Sequence, residues 1–364
     1  MTCRVDVATA VCAGVMALWA GTAGAQTAPT GGGPPDDTPA IRLGTTIFTD
    51  YSYTASPETT DADGNAIHAS AFNVARAYLN LTGQISHVVA FRVTPDVVRE
   101  TGPGSSLNGS LTFRLKYAYA QFDLDDWMAT GSYARLGIQQ TPYLDFIESI
   151  YRYRFQGTTF VEREGYFASA DAGASLRYPL PSNYGDIHVG YYNGENYNTA
   201  EANDQKATMI RGTIRPLAQS ASPVLRGIRA TGFYQADHYI QDGDRTRAIG
   251  VLSFDHPRVN AALEFIRGRD RSTTATATAE THGFGLWATP ALGRGWEALA
   301  RWDHVIDDEA ADAERDRTIV GLAYWFKRQG SVSSALMFDY DGQRFSTASI
   351  PKQQKVAVHA LLTY

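Results

Sequence analysis

The chain has 364 residues, a formal net charge of −6, 44% hydrophobic residues and 12% aromatic ones. A mean hydropathy of −0.26 argues against a bundle of membrane helices, and after the N-terminal segment no window approaches the ~18 consecutive apolar residues that such a helix needs. No basic run or nucleic-acid motif is present, and both cysteines, Cys3 and Cys12, lie at the start of the chain, so the remainder can form neither a disulfide nor a thiolate metal site.

In chain order, Arg4 precedes an apolar stretch from Val7 to Ala20, and Ala23-Gly24-Ala25 is a small-x-small cleavage site. Residues 1–25 therefore read as a secretion signal, with a mature chain starting at Gln26. Residues 26–39 (QTAPTGGGPPDDTP) are rich in Gly and Pro without apolar periodicity, and read as a disordered leader. From residue 40 to 364 the pattern has period two. Alternating segments fall at 41–51, 72–83, 87–98, 110–122, 131–140, 169–178, 185–193, 206–215, 224–235, 245–255, 258–267, 281–288, 295–304, 317–327, 331–341 and 353–364. Those are about sixteen strands.

The connectors carry more information than the strands. Long ones (52–71, 99–109, 141–168, 194–205, 236–244, 268–280, 305–316, 342–352) alternate with shorter ones (84–86, 123–130, 179–184, 216–223, 256–257, 289–294, 328–330). Long outer loops, short turns and an even strand number are the pattern of a transmembrane antiparallel β-barrel. A soluble sandwich has no reason to keep that alternation.

The alternation also assigns faces. Leu111, Phe113, Leu115, Tyr117 and Tyr119 share one face, with Arg114 and Lys116 on the other. A cation near the lipid midplane costs about 2–4 kcal/mol, so the charged face belongs in the lumen. Val320, Leu322, Tyr324 and Phe326 read as outward. Trp287, Trp296, Trp302 and Trp325 are candidates for interfacial girdles. The last strand places Val356, Val358, Ala360, Leu362 and Tyr364 outward and Lys355 and His359 inward, and it ends on an aromatic residue.

A barrel of this size leaves an aqueous channel unless something enters it. The longest connector, 141–168, is aromatic and mixed in charge, so it is expected to fold inside as a constriction. Asp145, Glu148, Arg152, Arg154, Glu162, Arg163 and Glu164 would set its field. The alternation assigns Arg76, Arg92, Arg114, Lys116, Arg135, Arg177, Arg211, Arg215, Arg229, Arg247 and Arg301 to the lumen, against four acids, Glu264, Glu297, Asp303 and Asp339. Other acids (Asp307, Asp308, Glu309, Asp312, Glu314, Asp316) fall in an expected outer loop. A cation-lined wall favours anions.

The runs LKYAYAQFD (Leu115–Asp123), ARLGIQQTPYL (Ala134–Leu144), the Glu-Arg-Glu within Val161–Tyr166 and GDIHVGYYNGENYN (Gly185–Asn198) resemble the phosphate-selective porin O/P family. The likeness is best over about residues 110–216. It implies a sixteen-stranded, usually trimeric outer-membrane barrel with its third loop in the pore, passing anions such as phosphate. The family's arginine ladder has candidates in Arg114, Arg135, Arg177, Arg211 and Arg215. Its lysine cluster and coiled-coil leader have no counterpart in the sequence.

The expected function is a water-filled outer-membrane channel for small hydrophilic solutes, preferring anions, in a homotrimer embedded in lipid, with no cofactor, metal or nucleic-acid partner. The alternatives are a barrel hydrolase or a structural or adhesive barrel. His188, His238, His282 and His304 are present, but no Gly-x-Ser-x-Gly elbow or His-Glu-x-x-His motif accompanies them. Asp61-Ala-Asp-Gly64 and Gln241-Asp-Gly-Asp244 lack the remainder of a calcium loop and read as turns.

Overall fold

The computed structural model describes residues 37–102, 104–308 and 313–364. The expected signal, both cysteines, most of the leader, Glu309 and Asp312 lie outside the described residues. Sixteen antiparallel strands form one closed barrel in sequence order. They are β1 (Ala40–Ser56), β2 (Ser70–Gln84), β3 (Val89–Arg99), β4 (Leu111–Asp123), β5 (Tyr133–Gln140), β6 (Ala170–Leu180), β7 (Gly185–Tyr192) and β8 (Ala207–Ile214), then β9 (Ile228–Ile240), β10 (Gly243–His256), β11 (Val259–Asp270), β12 (Ala279–Gly293), β13 (Trp296–Ile306), β14 (Glu314–Trp325), β15 (Ser333–Phe345) and β16 (Gln353–Thr363). A two-residue ribbon, Thr59–Thr60 with Ala66–Ile67, decorates the first long loop.

The last strand closes the ring. It pairs with β1 from Thr46↔Thr363 to Ser56↔Gln354. Beyond it, Tyr364 N–H donates to Thr45 O at 2.9 Å and Thr45 N–H donates to Tyr364 O at 3.0 Å. Closure removes the row of unpaired amides that an open sheet exposes.

The outer face is apolar, as the period-two pattern requires. Phe72, Phe113, Leu136, Val320 and Phe338 are exposed on it, and Tyr51–Phe72, Phe284–Trp302 and Trp296–Tyr324 pack there as ring pairs. Polar residues such as Asp96, Gln139, Asp303 and Asp339 are buried inside the barrel. In β16, Lys355 lines a lumen cavity with Arg317 and Asp341, and His359 contacts Asp339 at 3.1 Å. Val358, Leu362 and Tyr364 are exposed.

Five details differ from the sequence reading. The alternation of β4 is broken. Thr94 pairs with Tyr117 and Pro95 with Leu115, which leaves Lys116 as an extra, unpaired residue. This β-bulge reverses the phase of the strand. Leu111, Phe113 and Leu115 remain exposed, but Tyr117 is 4% exposed; it and Tyr119 face inward, where the guanidinium groups of Arg92 and Arg135 lie over their rings. Pro95 is tolerated in mid-strand because a bulge interrupts the ladder and asks for no N–H there.

Trp287 and Trp325 are not girdle residues. Trp287 is 2% exposed and donates to Glu264 at 3.0 Å inside the barrel, and Trp325 packs against Tyr153 and Phe155. Of the four, Trp296 and Trp302 face out. The connector expected at 236–244 is a turn at 241–242, because β9 and β10 continue their pairing as far as Ile240↔Gly243. Polar rungs such as His238–Asp244 sustain it. Likewise Glu314 and Asp316 belong to β14 rather than to a loop. In the opposite direction, the connection from β8 to β9 at the terminus end is longer than expected and holds a helical turn, Pro223–Arg226, where a strand start was expected.

At Gly137 the backbone has φ of +126°, and a Cβ there would lie 2.3 Å from Ala118 O. Only glycine lets β5 approach β4 at that rung.

Removing Tyr364 deletes the two closing hydrogen bonds to Thr45. The truncated chain should fail to reach the heat-resistant, fast-migrating barrel seen by unheated gel electrophoresis. Folding yields equal to those of the full chain would show that closure does not depend on this residue.

Candidate functional site: the lumen and its inserted loop

The connector between β5 and β6 enters the barrel. It opens with helix α1 (Pro142–Ile150), which starts on a Pro at its first position, and contains a short turn α2 (Phe160–Arg163). Nearly every apolar residue in it is buried, including Tyr143, Leu144, Ile147, Tyr151, Tyr153, Phe155, Phe160 and Val161. They dock on an apolar sector of the inner wall built from Met209, Phe233, Ile249, Ile266, Trp287, Leu299, Ile319 and Met337. Ring contacts tie the two together. Tyr143 meets Phe233, Tyr151 meets Trp287, and Tyr153 and Phe155 both meet Trp325. Gly285 makes the seat for Phe160, because a Cβ there would stand 2.8 Å from its ring.

Polar bonds fix the loop's register. Tyr143 OH donates to Glu264, and Tyr153 OH donates to Glu297 at 2.7 Å. Arg152 also bonds Glu297 and covers the Trp325 ring. Gln156 donates to Asp339 at 2.7 Å and Arg163 to Asp341 at 3.2 Å. Glu164 pairs with Arg315 and, at 3.6 Å, with Arg317. Arg154 joins Glu148 at 3.1 Å and Glu162 at 2.5 Å within the loop. Asp145 lies 3.6 Å from Arg135. All seven loop charges expected at the constriction are therefore engaged, some with the wall and some with each other.

Burial, the first cause, pushes the Glu148 carboxyl above its ordinary value, against the opposing pull of Arg154 and Lys116. Burial and neighbouring Arg301 together pull Arg163 down to about 10.

The eleven cations assigned to the lumen separate into two groups. Arg211, Arg247 and Arg301 hold the loop and, like Lys116, are almost wholly buried. Arg211 Nε donates to Pro142 O at 3.0 Å, Arg301 donates to Thr158 O at 2.8 Å, and Arg247 lies over the Tyr166 ring. Arg76, Arg92, Arg114, Lys116, Arg135 and Arg177 lie on β2 to β6, the sector the loop's apolar side leaves uncovered. Arg215 and Arg229 join Arg177 around a cavity of about 390 Å³ toward the terminus end. A second cavity, of about 200 Å³, lies between the loop and β1 to β4.

The sequence reading missed most of the carboxylates that face these cations, because it counted only four acids inside. Asp96 sits between Arg76 (3.1 Å) and Arg114 (3.3 Å). Asp186 sits between Arg177 (2.6 Å) and Arg211 (2.5 Å). Asp237 pairs with Arg245 and Asp270 with Arg247. The cation excess is thus smaller than the sequence suggests, yet it survives on β2 to β8. There one carboxylate twice serves two arginines, and among the described residues Arg92 and Lys116 have no carboxylate in ion-pair reach. Inward acids at alternate positions (Asp96 two residues before Val98, Asp186 two before His188) were the available signal.

No family model and no curated protein sequence matches this chain. Solved structures do match its fold. The anion-selective porin from Comamonas acidovorans superposes with a TM-score of 0.61 at 13% identity, over 90% of this chain and 100% of that one. The outer membrane channel DcaP of Acinetobacter baumannii gives 0.58 at 12%, over 90% and 97%. OmpT, an outer membrane protein of Vibrio cholerae solved in a trimer form, gives 0.57 at 10%, over 90% and 100%. At such identities the likeness establishes the barrel architecture.

Tyr143→Phe leaves the buried Glu264 carboxylate with Trp287 as its remaining donor. The expected cost is about 1–3 kcal/mol, read as a lower denaturation midpoint of the detergent-folded protein with unchanged strand content. An unchanged midpoint would show that this bond does not hold the loop.

Proposed function

We propose that this chain is a porin of the bacterial outer membrane, a water-filled channel for small hydrophilic solutes that prefers anions. The observation that carries the reading is the one-sided lumen. The inserted loop seals an apolar sector and leaves a polar passage along β2 to β7, where cations outnumber their carboxylate partners. Cations lining a narrow, low-dielectric passage lower the barrier for anions and raise it for cations. The apolar outer belt and the secretion-signal pattern support the outer membrane as location, and the trimer form of OmpT supports a homotrimer.

Phosphate, the solute suggested by the resemblance to the porin O/P family, is the narrower version of this reading. The sequence offers a ladder of arginines for it but no cluster of lysines.

Insertion of the purified protein into planar bilayers should give ohmic steps. Under a KCl gradient the reversal potential should indicate chloride permeating better than potassium. A potassium-selective reversal potential would overturn the anion preference, and correctly inserted protein without conductance steps would overturn the channel.

Acidification gives a second test. Glu148 faces Lys116, Arg154, Glu162 and Asp145. Because burial raises its pKa above the ordinary 4.5, it takes up a proton earlier than a free glutamate as pH falls. Its protonation removes a negative charge beside the lumen cations, so the chloride-to-potassium permeability ratio should rise as the pH is lowered. Glu148→Gln should show a high ratio throughout, with a flatter pH response. A wild-type ratio that falls on acidification would contradict this role for Glu148.

A further inference from the structure

Two consecutive residues of β4, Lys116 and Tyr117, both point into the lumen, which a regular strand forbids. The bulge at Lys116 makes it possible. Both residues line the cavity of about 200 Å³ beside the inserted loop, and its walls differ in kind. One wall is charged: Arg92, Lys116 and Arg154 line it, the last paired at 3.1 Å with Glu148, whose carboxylate also lines the cavity. Arg92 uses Nε on Thr94 Oγ1 and one terminal nitrogen on Asn80 Oδ1, each at 3.0 Å, which leaves its other terminal nitrogen without a partner among the described residues. Lys116 donates to Tyr78 OH at 3.2 Å and has two further donors. The other wall is made of rings, those of Phe48, Tyr78 and Tyr117. The two walls are joined, since the Arg92 guanidinium stands 4.5 Å over the Tyr117 ring and the Lys116 ammonium 4.8 Å from that of Tyr78.

We propose that this cavity is a binding site for small amphipathic organic anions, a single carboxylate on an aromatic or apolar body, and that it takes them in preference to inorganic phosphate. The proposal rests on the anion-channel reading and names the solute class of that channel. A guanidinium stacked on a ring keeps its N–H edge in plane, which suits the two oxygens of a carboxylate. The rings beside it reward an apolar body by removing it from water. Inorganic phosphate has acceptors on every side. Against three rings it would lose hydration without recovering hydrogen bonds.

The test uses the purified full-length protein in planar bilayers at pH 7. The reversal potential in KCl is measured first. Benzoate, acetate and inorganic phosphate are then titrated as blockers of the chloride current. Benzoate should reach half-block at a concentration at least tenfold below those of acetate and phosphate. Lys116→Gln should raise the half-blocking concentration of benzoate at least fivefold, and Phe48→Leu should narrow the gap between benzoate and acetate. If Lys116→Gln does not assemble, Arg92→Gln tests the same wall and should weaken benzoate block in the same direction.

An anion-selective channel that the three anions block alike, or that phosphate blocks most strongly, overturns the inference and leaves the anion-channel reading standing. A cation-selective channel overturns both. Benzoate block that neither Lys116→Gln nor Arg92→Gln changes overturns the assignment to this cavity.

Discussion

Everything in this molecule depends on closing the backbone hydrogen-bond ladder. A strand in lipid has no water to satisfy its amides, so a sheet there must meet itself. Here β1 and β16 meet, and the main chain of Tyr364 completes the seam against Thr45. Once the ring is closed, the period of two leaves each side chain only two destinations. The outer face takes apolar residues and the inner face takes the rest. Sixteen strands then enclose more space than their own side chains can fill, and the use of that space decides the function.

The inserted loop answers that need asymmetrically. Its aromatic side chains meet an apolar sector of the wall, and hydrogen bonds from Tyr143, Tyr153, Gln156 and Arg163 to acids on β11, β13 and β15 fix it there. Part of the lumen thus behaves as the core of a soluble protein. The sector from β2 to β7 keeps polar side chains facing the lumen, with arginines in excess over the carboxylates between them. The proposed anion preference rests on this division.

Much of this was legible in the sequence, and the failures share causes. The strand number, the inward third loop and the faces of β14 and β16 follow from local alternation and connector length. Tyr117 and Tyr119 were placed outward because a strict alternation was carried through Lys116. A bulge shifts the phase by one residue, and the only local trace was Pro95 in the neighbouring strand. Trp287 and Trp325 were taken for girdle residues because an apolar inward position looks like an error until the loop that covers it is known. The missed acids Asp96 and Asp186 are each the one acid of their strand, and a single charge does not reveal that two arginines converge on it.

The sequence by itself determined the architecture, because membrane-type β-structure is coded by a period of two and by connector length, both local properties. It also assigned eleven cations to the inner face, because a cation in lipid is costly, although Arg267 and Arg269 at the loop end of β11 face outward. Only the tertiary structure decided which cations hold the loop and which line the passage. Arg211 and Arg301 bond to a loop distant in sequence, whereas Arg92 and Lys116 make no carboxylate ion pair within 4 Å among the described residues, though Glu148 lines their cavity. That distinction depends on contacts between strands and a loop far apart in the chain, which no local pattern encodes.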